Sequence, residues 1–177
     1  MPLVATNDPS GVGSRLDRMI QRLRTQRACL EFAAREIGDR AALVLELGLG
    51  KGRTYDFLRR RLPSCVIYAF DREVHAPLDC IPDSEHLLLG DFRDTLPAFA
   101  ARYGKAAVLV HADIGSEDLE RDQRLAATLA PLIDAVALPG SLVICDRPLL
   151  GPGWIPLPLP PEAGDWDYHL FRVDAHP

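Results

Sequence analysis

Three glycines at alternate positions, Gly48, Gly50 and Gly52, follow the apolar run Leu43-Val44-Leu45-Glu46-Leu47 and precede Tyr55, Leu58 and Leu62. An apolar run interrupted by one acid suits a strand buried on both faces of a parallel sheet. The spacing beyond the glycines predicts a helix. Strand, glycine loop and helix together let a backbone approach a ligand closely and aim helix N–H groups at it. The fold class this implies is α/β. Two commoner nucleotide loops do not fit. A G-x-G-x-x-G fingerprint needs a small residue where Arg53 stands, and the spacing and Lys-Ser/Thr ending of a phosphate-cradling P-loop are missing.

At 177 residues and 47% hydrophobic, the chain is long enough for one α/β domain and too short for two. The expected layout is one domain over 1–177, with a loose arm over 1–13, a helix over 14–37 and a core over 43–173. A net charge of −5 gives no reason for nonspecific binding to nucleic acid or an anionic membrane. No apolar run approaches bilayer-spanning length, and the start of the chain lacks the pattern of a signal peptide. Cys29, Cys65, Cys80 and Cys145 are scattered without a C-x-x-C pair. That usage points to a reducing, cytoplasmic setting.

Ser14 with Asp17 has the form of a helix cap, and Leu16, Met19, Ile20, Leu23, Leu30, Ala34 and Ile37 recur at helical spacing up to Gly38. Arg15, Arg18, Arg22, Arg24 and Arg27 on this helix read as a solvated outer face, with recognition of an acidic substrate or partner as the alternative. Beyond Pro63, Cys65 to Phe70 forms a second strand ending at Asp71, and a short helical piece is expected from Glu73 to Cys80. His86 to Leu89 is the third strand, closed by Gly90-Asp91-Phe92 before a helix from Asp94 to Tyr103. Ala106 to Ala112 is the fourth, delivering Asp113, Ile114 and Gly115 to the edge that bears Gly48, Asp71 and Asp91. Ligand binding at the carboxyl edge of an open sheet requires such turns. His111, two residues before Asp113, shares its face. It reads as a hydrogen-bonded core residue or, alternatively, as a catalytic base.

A longer amphipathic helix from Asp118 to Ala137, kinked or divided at Pro131, leads through a Leu138-Pro139-Gly140-Ser141 turn into a fifth strand, Leu142 to Asp146. In the tail, Pro156, Pro158 and Pro160 alternate with Ile155, Leu157 and Leu159. One edge of that strand cannot donate, so it belongs at a sheet margin. Trp166 to Val173 is its expected partner in a C-terminal antiparallel hairpin around Glu162-Ala163-Gly164-Asp165.

The pattern acid-x-Gly-x-Gly-x-Gly, carried by Glu46, Gly48, Gly50 and Gly52, resembles the first motif of class I (Rossmann-like) S-adenosyl-L-methionine-dependent methyltransferases of the small stand-alone bacterial type. The resemblance extends from Leu43 to Val173. It implies a three-layer α/β/α Rossmann-like sandwich whose mostly parallel seven-stranded sheet has the order 3-2-1-4-5-7-6 with strand 7 antiparallel. The proline-rich strand suits the marginal place of strand 6. S-adenosyl-L-methionine is the implied cofactor, with Glu46 orienting the region around its methionine part and Gly48, Leu49 and Gly50 giving room and amide hydrogen bonds. Asp71 and Arg72 belong to the same implied cofactor-binding set, Asp71 following Gly48 at close to the ~20-residue interval of a ribose-binding carboxylate. An ionised carboxylate accepts from two hydroxyls at once. Gly90, Asp91 and Phe92 stand where the family contacts the adenine, Asp91 accepting from its amine and Phe92 lying against the ring; a capped turn into the next helix is the alternative. Asp113 completes the implied cofactor set.

The implied activity is an enzymatic methyl transfer to a small-molecule acceptor. Asp113-Ile114-Gly115-Ser116 stands where Asp/Asn-Pro-Pro-Tyr would mark amide or base N-methylation. Asp113 and Asp146 resemble the acid positions of small metal-dependent O-methyltransferases, but Arg147 replaces the Asn that normally follows the second acid. Its charge opposes a divalent ion and offers a partner to an acidic substrate. No metal is therefore expected, Asp113 and Asp146 being the candidate ligands. The catalytic group stays unassigned among Asp113, His111 and Asp146. A nonenzymatic S-adenosylmethionine-binding protein remains open, as does a nicotinamide-binding oxidoreductase, which Arg53 disfavours. A nucleic-acid or membrane partner is not expected, and a homodimer is left open. Acceptor specificity is expected from the arm before Ser14, the first helix, the loop at Ser116 and the loop from Pro148 to Trp154.

Overall fold

Ser14 opens the first helix, α1 (Arg15–Ile37), with a capping box: its Oγ accepts from the Asp17 amide at 3.1 Å while the Asp17 carboxylate accepts from the Ser14 amide at 2.9 Å. The computed structural model describes residues 13–115 and 118–174; the expectations for the arm before Gly13 and for Ser116 lie outside the described residues. After α1 come β1 (Leu43–Leu47), α2 (Arg53–Arg61), β2 (Val66–Asp71), β3 (Leu87–Leu89), α3 (Phe92–Tyr103) and β4 (Ala107–Ala112). Then follow α4 (Leu119–Asp134), β5 (Ala137–Cys145), β6 (Ile155–Leu157) and β7 (His169–Arg172).

These strands form one seven-stranded sheet in the order β3-β2-β1-β4-β5-β7-β6. Its first five members are parallel, and β7 runs antiparallel to both β5 and β6. The order, the direction of β7 and the marginal proline-bearing strand are those expected from the sequence. Side chains alternate between two cores. Leu45, Leu47, Tyr68, Phe70, Val110 and Val143 pack with Leu96 and Phe99 of α3 and with Leu129 and Ile133 of α4. Val44, Ile67, Leu109, Leu142 and Ile144 pack with Leu30 and Ile37 of α1 and with Leu58 of α2. Both faces are covered, which is why the central strands read as continuous apolar runs. Glu46 and His111 face the α1 side in the midst of this apolar layer, directly paired across β1 and β4.

Several boundaries differ from those expected. Glu73 to Cys80 is not a helix: only Leu78–Cys80 makes a 3₁₀ turn, because Pro77 holds φ −59° and ψ 151° and keeps the residue before it extended. Phe92 already belongs to α3, since Asp91 rather than a later residue caps it through the Arg93 amide at 2.9 Å. Pro131 does not divide α4, which runs unbroken across it to Asp134 and leaves Ala137 to β5. The Pro139-Gly140 pair lies within β5 as an irregularity, where Gly140 takes φ +81° and the pairing with β4 slips between Ala107 and Leu109. In α1 the apolar stripe docks only from its middle onward. Leu30 is 1% exposed, whereas Leu16 is 67% and Met19 and Ile20 are each 44% exposed.

Candidate active site

A cleft of about 280 Å³ opens beside the carboxyl ends of β1, β2 and β4, near the lower end of the ~300–1,000 Å³ typical of small-molecule sites. The glycine loop forms one wall. Gly48 has φ +96°, and a Cβ there would stand 2.7 Å from the Asp113 carbonyl oxygen, so only glycine lets the β1 and β4 turns approach. Gly50 has φ +51° with nothing within 4 Å of an added Cβ: open space lies above it. The loop's amides are turned inward. Those of Gly48 and Leu49 donate to the Phe70 carbonyl at 2.9 and 3.3 Å, and that of Gly50 donates to the Asp71 carboxylate at 2.8 Å. The expectation that these amides hydrogen-bond a ligand is thus amended, because their donors already hold the loop onto β2. What the loop offers is room.

Asp71 lines the cleft with one oxygen on the Gly50 amide and the other on the Arg72 amide at 2.7 Å. Backbone donors fix the carboxylate and leave each oxygen further acceptor capacity. Gly90 donates to the Asp71 carbonyl at 2.9 Å, which ties the end of β3 to the same place. The Asp91 carboxylate accepts from the Arg93 amide and guanidinium and from Arg72 at 2.8 Å. The Arg93 contacts foremost hold it well below the usual carboxylate range. The capped-turn alternative for Gly90-Asp91-Phe92 is thus present, and of the three only Phe92 lines the cleft among the described residues.

Beneath the cleft runs a chain of buried polar groups. Thr54 of α2 donates to one oxygen of Glu46, whose other oxygen meets His111 Nδ1 at 2.7 Å. His111 Nε2 meets the Tyr168 hydroxyl at 2.7 Å, and Gln26 of α1 donates both to that hydroxyl at 3.2 Å and to Asp113 at 2.9 Å. Arg22 completes the series with an ion pair to the other Asp113 oxygen. Every member finds a partner if Nδ1 donates to Glu46 and the tyrosine O–H donates to Nε2, and burial demands that satisfaction. Glu46 and His111 are both fully buried and do not line the cleft. Of the two readings of His111, the hydrogen-bonded core residue describes its surroundings; both ring nitrogens are engaged. Burial pushes its pKa down, but Glu46 above all, with Asp113 and Asp146, outweighs this and raises it.

Asp113 and Asp146 show opposite electrostatics. Burial alone would raise Asp113, yet His111 and Arg22 hold it below the ordinary value. Asp146 accepts from the Ile114 and Gly115 amides at 3.0 and 2.8 Å, and burial, then the Asp113 charge, pushes it up to about 6. Side chains hold Asp113 and backbone amides hold Asp146. Among the described residues no group of three His, Cys, Asp or Glu side chains is arranged to hold a metal. Arg147, expected as a partner for an acidic substrate, instead pairs with the buried Asp122 of α4 at 2.9 Å. Arg24 and Arg27 are exposed, as expected of a solvated face, but Arg22 turns into the cleft.

Sequence reasoning missed Arg22, Gln26, Thr54 and Tyr168 as members of this assembly. One signal was available: Glu46 and His111 each lie two residues before the turn of their strand, so adjacency of β1 and β4 makes them a pair. For Tyr168 none was, since the register of the β7 segment follows from no local pattern.

Over residues 13–173 the sequence matches the S-adenosyl-L-methionine methyltransferase family. Among solved structures, an S-adenosyl-L-methionine methyl transferase from Silicibacter pomeroyi DSS-3 is 41% identical, with 91% of this chain and 99% of that chain covered and a TM-score of 0.85. The release factor-specific protein-(glutamine-N5) methyltransferase from Alicyclobacillus acidocaldarius is 16% identical, with 92% and 98% covered and a TM-score of 0.52. A 16S rRNA (adenine(1408)-N(1))-methyltransferase from Catenulisporales acidiphilia is 17% identical, with 84% and 92% covered and a TM-score of 0.52. These last two share the fold alone. No curated protein matches the sequence.

Proposed function

The chain belongs to the S-adenosyl-L-methionine methyltransferase family, and on that premise we propose that its cleft serves methyl transfer to a small-molecule acceptor. The observation that carries the reading is the meeting of Gly48, Gly50, Asp71 and Asp113 around one cleft at the carboxyl edge of the sheet. The residues fit an adenosyl ligand. Open space over Gly50 accommodates a ligand against the backbone, Asp71 retains acceptor capacity for a ribose diol, and Leu49 and Phe92 provide apolar surface. Glu46 acts from below, holding α2 through Thr54 and β4 through His111.

Held there, S-adenosylmethionine would supply an electrophilic methyl carbon on a sulfonium, the bond to the acceptor forming in line as the carbon–sulfur bond breaks and the neutral thioether S-adenosylhomocysteine leaves. The chain's own task is to orient the two reactants, which can contribute roughly 7–11 kcal/mol. Asp113 is a poor general base, because Arg22 and Gln26 occupy its oxygens and its pKa is lowered. His111 is sealed beneath the sheet edge. That arrangement favours an acceptor atom already nucleophilic at neutral pH, such as a carboxylate, amine or thiolate, over an unactivated hydroxyl.

The net charge of −5 and the concave site support a small acceptor over a polynucleotide. No helix of the described residues is long and apolar enough to cross a membrane. Four free cysteines support a cytoplasmic setting. Titrating the protein with S-adenosylhomocysteine and with NAD tests the cofactor: the first binds and the second does not. A following acceptor screen that reads S-adenosylhomocysteine formation separates an enzyme from a nonenzymatic binder, which turns nothing over.

A further inference from the structure

The cleft carries more positive charge than its carboxylates use. Five cations line it, Arg22, Lys51, Arg53, Arg72 and Arg121, against two acids, Asp71 and Asp113. Arg22 pairs with Asp113 and Arg72 with Asp91, whereas Lys51, Arg53 and Arg121 make no ion pair among the described residues. This concentration occurs in a chain whose net charge is −5. Position makes it more telling. Arg53 is the first residue of α2 and Arg121 lies in the first turn of α4, at helix ends where the backbone dipole already favours negative charge. Cations there work against helix stability, and at exposed helix starts acids are the stabilising choice. Both arginines border one cavity, together with the apolar side chains Leu23, Ile114 and Leu125. The cofactor's single carboxylate, balanced by its own ammonium, does not answer three unpaired cations.

We infer that the methyl acceptor is a small organic anion, a carboxylate or phosphate attached to an apolar body, held by Arg53 and Arg121 with Lys51 adding long-range attraction. Guanidinium groups bind such anions through paired N–H donors, and the start of α2, where Gly52 supplies no side-chain cap, adds oriented amides, whereas Asp118 already caps α4 through the Arg121 amide. Lys51, at the loop, supplies a point charge that raises the local concentration of anions. This rests on the methyl-transfer reading and adds the class of acceptor to it.

The test uses the full chain saturated with S-adenosylhomocysteine and three probes, phenyl phosphate, benzoate and the uncharged benzamide, titrated by NMR chemical-shift perturbation. The anions should bind and benzamide should not, with a tenfold salt increase from about 0.05 M weakening the anions as screening predicts. In the Arg53→Ala/Arg121→Ala variant, checked for a melting temperature no lower than the parent's, anion affinity should fall at least about tenfold while S-adenosylhomocysteine affinity stays within about threefold. Phosphate and carboxylate arms distinguish the two headgroups. Equal binding of benzamide and the anions, or undiminished anion binding in the variant, overturns the inference. So does a large loss of S-adenosylhomocysteine affinity in the variant, which would assign the arginines to the cofactor. Arginine-dependent binding of a short single-stranded RNA tighter than either anion also overturns it, in favour of a polynucleotide. Failure of the parent protein to bind S-adenosylhomocysteine at all would instead defeat the underlying reading.

Discussion

Asp71 ends β2 and Asp113 follows β4, the two strands that flank β1, yet the two carboxylates are held in different ways. The donors on Asp71 are backbone amides, of Gly50, Arg72 and, at 3.5 Å, Glu73, which set its place and leave it able to accept more. On Asp113 they are side chains of α1, Arg22 and Gln26, and Gln26 continues into the buried chain of Tyr168, His111, Glu46 and Thr54. A carboxylate anchored by its own backbone environment stays available to a ligand. One anchored by side chains from other elements becomes a clamp, here joining α1 to β4 and, through Tyr168 and Glu46, to the β7 segment and β1. The same residue type at comparable strand ends is therefore left facing the cleft in one case and ties elements together in the other.

That contrast breaks most visibly at His111. Replacing it with Leu leaves Glu46 buried without its partner, and the expected loss is about 3–5 kcal/mol in urea-induced unfolding. A loss below about 1 kcal/mol would mean the chain is not a clamp. Asp71→Ala should do the reverse, with stability little changed and S-adenosylhomocysteine affinity reduced by about 2–4 kcal/mol, roughly 30- to 1,000-fold by calorimetry. Next in size is a pH effect at Asp146. Its folded pKa of about 6 lies above its unfolded value, so between about pH 4 and 6 the native state binds the extra proton and stability falls as pH rises. Relative to the parent, Asp146→Asn should therefore gain on the order of 2 kcal/mol across that window, and a flat difference would remove the assignment. Tyr168→Phe is the mildest: about 1 kcal/mol of stability lost, with S-adenosylhomocysteine affinity within about threefold of the parent. A larger change in affinity than in stability would place the clamp inside the ligand site and blur the distinction.

Legibility in the sequence follows the same divide. The glycine loop announces itself because Gly48 and Gly50 need backbone conformations that other residues resist, and such needs are written in consecutive residues. Asp71 was readable from its interval to that loop. At Gly90-Asp91-Phe92 two readings competed, and no local pattern tells that Arg72 and Arg93 converge on Asp91. The helix expected over Glu73 to Cys80 failed where Pro77 outweighed composition. Pro139-Gly140, a turn on paper, became part of β5 because the chain beyond β7 pairs with it there, Gly140 donating to the Val173 carbonyl and Val173 to the Ser141 carbonyl, each at 2.9 Å.

By itself the chain of residues determined the α/β class, the strand succession, the glycine loop and the marginal place of the proline-bearing strand. Each of these depends on period, on backbone freedom or on a missing N–H, properties that near neighbours share. Only the tertiary structure decided that Arg22 turns inward while Arg24 and Arg27 stay in water, that Arg147 belongs to Asp122, and that Tyr168 joins Gln26 to His111. Those partnerships unite residues up to 142 positions apart, and Gln26 meets Tyr168 because the α1-side core packs the helix against the sheet face beside Tyr168.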